Sequence, residues 1–168
     1  AYDLDGCWID GDCWAAKPDW SKDACKAFKV ATGIKEEIPT KPGDSYWHEW
    51  MAFNRKQFIE YVKHYLKVLH SYKPKIEITS NWLYSTFAPL HVEAPVDFLS
   101  GDFSPGESVD SARLEARYLS STGMCWDLMA WGFNKGENCQ WTHKPACQLM
   151  QEAAVVIAQG GGFNVSYH

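Results

Sequence analysis

The sequence predicts an α/β fold organised on a parallel sheet. Strand-like and helix-like runs alternate from end to end of the 168 residues, each strand-like run after the first follows a stretch long enough for a crossover, and the unusual residues gather in the loops after the strands. A composition of 46% hydrophobic and 22% charged residues, with a net charge of −5, fits one globular domain and excludes disorder.

The elements follow in order. Leu4 to Ile9 is the first strand, and Asp10 to Trp20 its loop. A helix starts near Ser21, a suitable cap, and ends at Gly33. Lys35 to Asp44, with Pro39, Pro42 and Gly43, is an excursion. In the long helix that follows, Trp47, Trp50, Met51, Phe58, Val62, Tyr65, Leu66 and Leu69 recur mostly at three- and four-residue steps, and Lys73-Pro74 closes it. Ile76 to Thr79 is the second strand, with an aromatic loop from Ser80 to Pro95 after it. Val96 to Leu99 is the third, followed by a loop from Ser100 to Asp110 and a helix using Ala112, Leu114, Tyr118 and Leu119 as far as Gly123. A fourth strand lies within Met124 to Trp131, ahead of a polar loop from Gly132 to His143. Pro145 suits the first turn of a last helix, Ala146 to Gln159, and Phe163 to Tyr167 is the fifth strand.

Five such strands fit either a doubly wound domain or the second half of an eight-stranded barrel, and periodicity does not choose between them. In both, ligands bind beyond the carboxyl ends of the strands. Sixteen Lys and Arg against 21 Asp and Glu, with no basic cluster, leave no electrostatic footprint for nucleic acid. The longest strictly apolar run, Ala153 to Ala158, is far short of the roughly 18 to 20 residues that cross a bilayer, so no membrane is expected as a partner. No basic-then-apolar leader opens the chain. Because it starts at Ala1, almost inside a strand, the N-terminus is expected to be a cut.

With nine Trp in 168 residues and aromatics at 15%, some of the rings are expected to serve a surface or cleft as well as the core, and sugar-binding clefts use such rings. The six cysteines form no CxxC pair and leave the redox compartment open; Cys7, Cys25 and Cys125 sit in apolar runs where buried free thiols are common. Cys139, His143 and Cys147 could supply three zinc ligands, but no fourth stands out and the spacing is not that of a standard finger. Buried thiols, or a local Cys139 to Cys147 disulfide, account for them without a metal.

The loops carry the chemistry. Trp8-Ile9-Asp10-Gly11-Asp12-Cys13-Trp14 puts a carboxylate at a strand tip between rings, which suits a nucleophile or a proton-transfer group; capping the following loop is the structural alternative for Asp10. Asn81 and Trp82, after the second strand, offer a hydrogen bond and a stacking face for a sugar, or loop closure and packing. Asp102, after the third, occupies the place that Asp10 holds on its own strand, and Glu107 is a reserve farther into the loop. Two carboxylates facing each other across a cleft are what glycoside hydrolysis needs: one attacks or guides water, and the other protonates the leaving oxygen. Trp131 lies near the tip of the fourth strand, Asp127 four residues lower, where an Asp is usually structural. His48 and Glu49, on the long helix's first turn, are further cleft candidates. His64, His70, His91 and His168 read as surface or packing residues. No Ser-His-Asp arrangement, GxxxxGK or GxGxxG is present, and the Gly160 to Gly162 run lies after a helix and before a strand, the wrong order for a phosphate loop.

Tyr2-Asp3-Leu4-Asp5-Gly6-Cys7-Trp8-Ile9-Asp10-Gly11 resembles the fourth-strand segment of the α-L-fucosidases of glycoside hydrolase family 29, in which a tyrosine and an aspartate precede an apolar strand ending Trp-x-Asp-Gly. Trp131-Gly132-Phe133-Asn134 and Gly160-Gly161-Gly162-Phe163-Asn164-Val165 are similar to that family's Trp-Gly-Tyr and Gly-Gly-Asn motifs, in the same order. The resemblance implies a (β/α)8 TIM-like barrel, of which this chain is the C-terminal portion, strands four to eight, with strands one to three missing. It also implies a retaining mechanism with Asp10 as nucleophile, Trp8 as a sugar contact, an oligosaccharide or glycoside as substrate, and no cofactor. The family's acid/base is a Glu after a Trp; the nearest match here is Asp127 after Trp126, so Asp102, Asp127, Glu49 and Glu107 compete for the role. Retention needs a second carboxyl about 5 to 5.5 Å from the first, inversion about 6.5 to 9.5 Å. A β-galactosidase-like barrel enzyme is an alternative, although such enzymes usually pair two Glu with the nucleophile on a late strand. A non-catalytic sugar-binding barrel is another. The piece alone is expected to expose two unpaired sheet edges and to be inactive.

Overall fold

The computed structural model describes residues 3–10, 17–81, 84–86, 88, 91–136 and 141–167. Its elements are β1 (Gly6–Ile9), α1 (Lys22–Thr32), α2 (Trp47–Tyr72), β2 (Glu77–Ser80), α3 (Ser108–Ser120), β3 (Asp127–Trp131), β4 (Phe133–Lys135), β5 (Trp141–His143), α4 (Ala146–Ile157) and β6 (Gly162–Ser166).

The mixed α/β character is as expected, and the strand order is informative. β1 and β2 pair in parallel, from Gly6 against Glu77 to Ile9 against Ser80. Asn81 bridges in parallel to Ser100, Leu99 to Trp126 and Asp102 to Met129. β3 and β6 pair in parallel from Asp127 against Gly162 to Trp131 against Ser166. Spatial order therefore follows chain order: β1, β2, the 99–102 segment, β3, β6. The reversal of order that creates the switch point of a doubly wound sheet is absent among the described residues. There β1 and β6 each have a single sheet neighbour, and the array does not close into a barrel.

Right-handed crossovers between strands taken in order put their helices on one face of the sheet, and α2, α3 and α4 follow that rule. Ile76, Ile78, Leu99, Leu128 and Ala130 cluster with Phe58, Ile59, Val62 and Leu66 of α2, Ala112, Ala116 and Leu119 of α3, and Val156 of α4. In β3 the alternation is strict: Leu128 and Ala130 are buried, while Asp127, Met129 and Trp131 are half-buried on the opposite face.

At 26 residues, α2 is about 39 Å long against about 13 Å for a four-residue strand, so it overruns the sheet. Its first turns build a second cluster, Phe28, Trp50 and Phe53, with Cys25, Ile34, Ile38 and Trp47 around it. The Phe28 ring stands edge-on to Trp50 at 4.9 Å, and Trp50 stacks on Phe53 at 5.9 Å. The excursion after α1 thus closes over a small core of its own, pinned by the Trp20 indole donating to the Pro39 carbonyl at 2.8 Å.

Helix boundaries follow local chemistry. Ser21 caps α1 by accepting from the Ala24 amide, and Gly33 ends it in the left-handed conformation, φ 74°. Pro145 is the N-cap of α4 rather than its first-turn residue, and the helix ends at Ile157. The glycine run is explained by close approach: a Cβ on Gly161 would stand 2.2 Å from the Trp126 ring, and Gly160, φ 86°, turns the chain out of α4.

Several expectations need correction. The first strand begins at Gly6, not Leu4, and the third is not a regular strand but a set of single bridges at 99–102, shifted past Val96 to Leu99. The polar loop from Gly132 to His143 contains an antiparallel hairpin, Phe133 against His143 and Lys135 against Trp141, invisible to periodicity because each arm has only three residues. Leu114 is 63% exposed; the buried stripe of α3 is Ala112, Glu115, Ala116 and Leu119. Cys125 is an exposed thiol rather than a buried one, since side chains alternate across the chain entering β3 and Trp126 takes the inward place. No helix among the described residues is long and apolar enough to cross a membrane.

Candidate active site

In parallel pairs partners point the same way, so the face opposite the helices is read directly from the register. It carries Trp8 and then Asp10 from β1 and its tip, Thr79 and Asn81 from β2, Ser100 and Asp102 from the middle segment, and Asp127, Met129 and Trp131 from β3. Hydrogen bonds join seven of these side chains in three separate sets.

Asn81 donates from its amide to Asp10 Oδ1 at 2.9 Å, so it positions the exposed Asp10 carboxylate. The Trp8 indole N–H donates to Ser100 Oγ at 2.9 Å, and Ser100 in turn donates to Asp127 Oδ1. The direction is forced, because an indole N–H only donates and the serine proton is left for the carboxylate. Trp131 donates its indole N–H to Asp102 Oδ2 at 2.8 Å.

The three aspartates sit in different surroundings. Asp102 is 9% exposed, and its Oδ1 is buried with no hydrogen-bond partner. Burial raises its pKa, the Trp131 hydrogen bond opposes this, and the negative charge of Asp10 raises it further. Since Trp131 holds Oδ2 as an acceptor, the proton of neutral Asp102 belongs on the free Oδ1. Asp127 is also raised by burial, against the Ser100 hydrogen bond, but it is the first residue of β3, low in the strand.

The other candidates stand apart. Glu49 is exposed on the first turn of α2, beside the second cluster. Glu107 is exposed at the N-cap of α3 with φ 50° and makes no capping hydrogen bond. Trp14 and Trp82 lie outside the described residues, as does Cys139, while Cys147 is an exposed free thiol rather than a buried one. Among the described residues no group of three or more His, Cys, Asp or Glu could hold a metal.

Three contributors escaped the sequence reading. Ser100 had a usable signal, lying two residues before Asp102 and so on the same strand face. The other two are Lys144 and Glu152, which form a fully buried ion pair at 2.8 Å beneath the site. Ser108 also donates to Glu152, Gln148 donates to Ser108 at 3.0 Å, and the Lys144 ammonium stands 5.8 Å from the ring of Phe103, the neighbour of Asp102. A Glu on the buried phase of α4, between Leu149 and Val156, was the only sign of it.

Glu115, on the buried stripe of α3, receives the amide and hydroxyl of Thr86 from the segment after β2, and burial pushes its pKa up to about 7. The unfolded chain ionises this group near its ordinary value of 4.5 while the folded chain resists. Stability should therefore fall as pH rises from about 4.5 to about 7 and level off above, by on the order of 2 to 3 kcal/mol. Glu115→Gln should raise the thermal midpoint at pH 8 by several degrees and leave it nearly unchanged at pH 4. Identical pH slopes in the two proteins would remove this role.

Compared with known proteins, the chain matches no family model, no curated protein and no solved structure.

Proposed function

We propose that this chain is the C-terminal portion of a (β/α)8 glycoside hydrolase that cleaves α-L-fucosides with retention, with Asp10 as nucleophile and Asp102 as acid/base. The observation that carries this reading is the contrast between two carboxylates of one sheet face: Asp10 is exposed and oriented by Asn81, whereas Asp102 is buried, raised by its surroundings and by Asp10 itself, with one buried oxygen left without a hydrogen-bond partner. A buried carboxyl whose pKa is raised, beside an exposed carboxylate, suits an acid and a nucleophile. Strands in chain order support the barrel over the doubly wound alternative, and the Trp-x-Asp-Gly resemblance supplies the sugar.

In the first step Asp10 attacks the anomeric carbon, the bond to the leaving oxygen breaks, and Asp102 gives that oxygen its proton. In the second, Asp102 takes a proton from water as the water oxygen attacks the same carbon and frees Asp10. Asp127, held by Ser100, keeps Trp8 and the middle segment in register and takes no part in proton transfer.

The test uses 4-nitrophenyl α-L-fucoside and the complete barrel protein that contains this chain. Asp10→Gly should lose at least about 10³-fold in kcat. Added azide should restore turnover and yield the β-fucosyl azide, because it enters from the face Asp10 vacated. Equal turnover by wild type and variant removes Asp10 from the mechanism. Fucose binding without turnover by wild type favours a sugar-binding protein, and turnover of β-galactosides in place of fucosides favours the other barrel chemistry.

A further inference from the structure

The acid leads into a row of rings. Trp131, whose indole holds Asp102, stacks on Phe133 at 5.3 Å and 27°, and Phe133 meets Trp141 at 4.6 Å. Phe133 is buried, and Trp141, at the start of β5, is 49% exposed. His143, exposed, lies opposite Phe133 in the hairpin register and therefore on the same face as the rings. In strand order Asp10 and Trp131, the ring that stacks on Phe133, lie on opposite sides of Asp102. Among the described residues Trp20 is also strongly exposed; its indole donates to the Pro39 carbonyl and its ring leans on Trp50, so it serves the second cluster.

We infer that the rings of Trp131 and Trp141, backed by Phe133, form the binding track for the leaving-group sugar, which stacks its apolar face on Trp141 while His143 meets its hydroxyls. This rests on the assignment of Asp102 as the acid. The group that protonates the leaving oxygen must touch it, so the surface continuing from Asp102 away from the nucleophile faces the departing sugar. An exposed indole backed by packed rings presents a rigid apolar plane at little entropic cost, which suits a pyranose ring.

The track is tested with two probes. For 2′-fucosyllactose, whose leaving group is lactose, and 4-nitrophenyl α-L-fucoside, whose leaving group is one aryl ring, Trp141→Ala should lower the ratio of the two kcat/KM values about ten-fold, and Trp141→Phe should restore most of it. Independently of turnover, lactose titrated into the ¹⁵N-labelled complete wild-type protein should shift the Trp141 indole resonance, identified by its loss in Trp141→Ala. An unchanged ratio, or lactose that leaves that resonance in place, overturns the track. A shifted resonance in a wild type that hydrolyses neither fucoside leaves the track as a sugar-binding surface and removes the hydrolysis reading instead.

Discussion

Replacing Lys144 by Met should destabilise the protein by about 3 to 5 kcal/mol. The ammonium is fully buried against the fully buried Glu152 at 2.8 Å, and Ser108 donates to the same carboxylate oxygen. Without Lys144 a carboxylate whose other oxygen already lacks a partner would be left in the interior. The pair also joins three elements: Lys144 follows β5 and donates its amide to Gly132 at 3.0 Å, Glu152 lies on α4, and Ser108 opens α3. For a chain of 168 residues the loss corresponds to a fall of roughly 6 to 20 °C in thermal midpoint. The double variant Lys144→Met/Glu152→Met removes both charges at similar volume and should recover most of the loss, because a buried pair contributes little beyond what its separated halves cost. A single variant that loses less than about 1 kcal/mol, or a double variant as unstable as the single, would contradict the assignment.

The second large effect concerns Asp102. If it protonates the leaving oxygen, Asp102→Asn should cost about 10² to 10⁴-fold in kcat/KM for fucosides with poor leaving groups. The cost should shrink towards nothing for 2,4-dinitrophenyl fucoside, whose leaving oxygen needs no proton. The pH profile gives a second readout. An acid must be protonated to act, and both burial and Asp10 raise the pKa of Asp102. Activity should therefore persist above the ordinary carboxylate range and fall as pH rises through the raised value. Trp131→Phe removes the indole hydrogen bond that favours the charged carboxylate, so its alkaline limb should lie at still higher pH. A loss in Asp102→Asn that is the same for every leaving group would remove the acid role.

Local and medium-range features were legible from residues alone. Ser21 and Gly33 bound α1 because capping and left-handed backbone are decided within a few residues. The apolar period of α2 was readable for the same reason. Where one carbonyl bond or one alternation decided the matter, the reading slipped: Leu114 and Cys125 look apolar in sequence yet face solvent, and the three-residue arms of the β4–β5 hairpin are too short to show a period.

By itself the sequence determined the α/β alternation, the main helices, and the places where carboxylates and rings meet strand ends, all of which depend on neighbours along the chain. The pairing of Asp10 with Asn81, of Asp102 with Trp131, and of Ser100 with both Trp8 and Asp127 was decided only by tertiary structure. So was the difference between Asp102 and Asp127, two aspartates of one sheet face. The position of a strand in a sheet depends on which strands lie beside it, and the pKa of a carboxyl depends on what buries it and which donors reach it. Those neighbours are here some 27 to 92 residues away in the chain, and folding alone brings them within 3 Å.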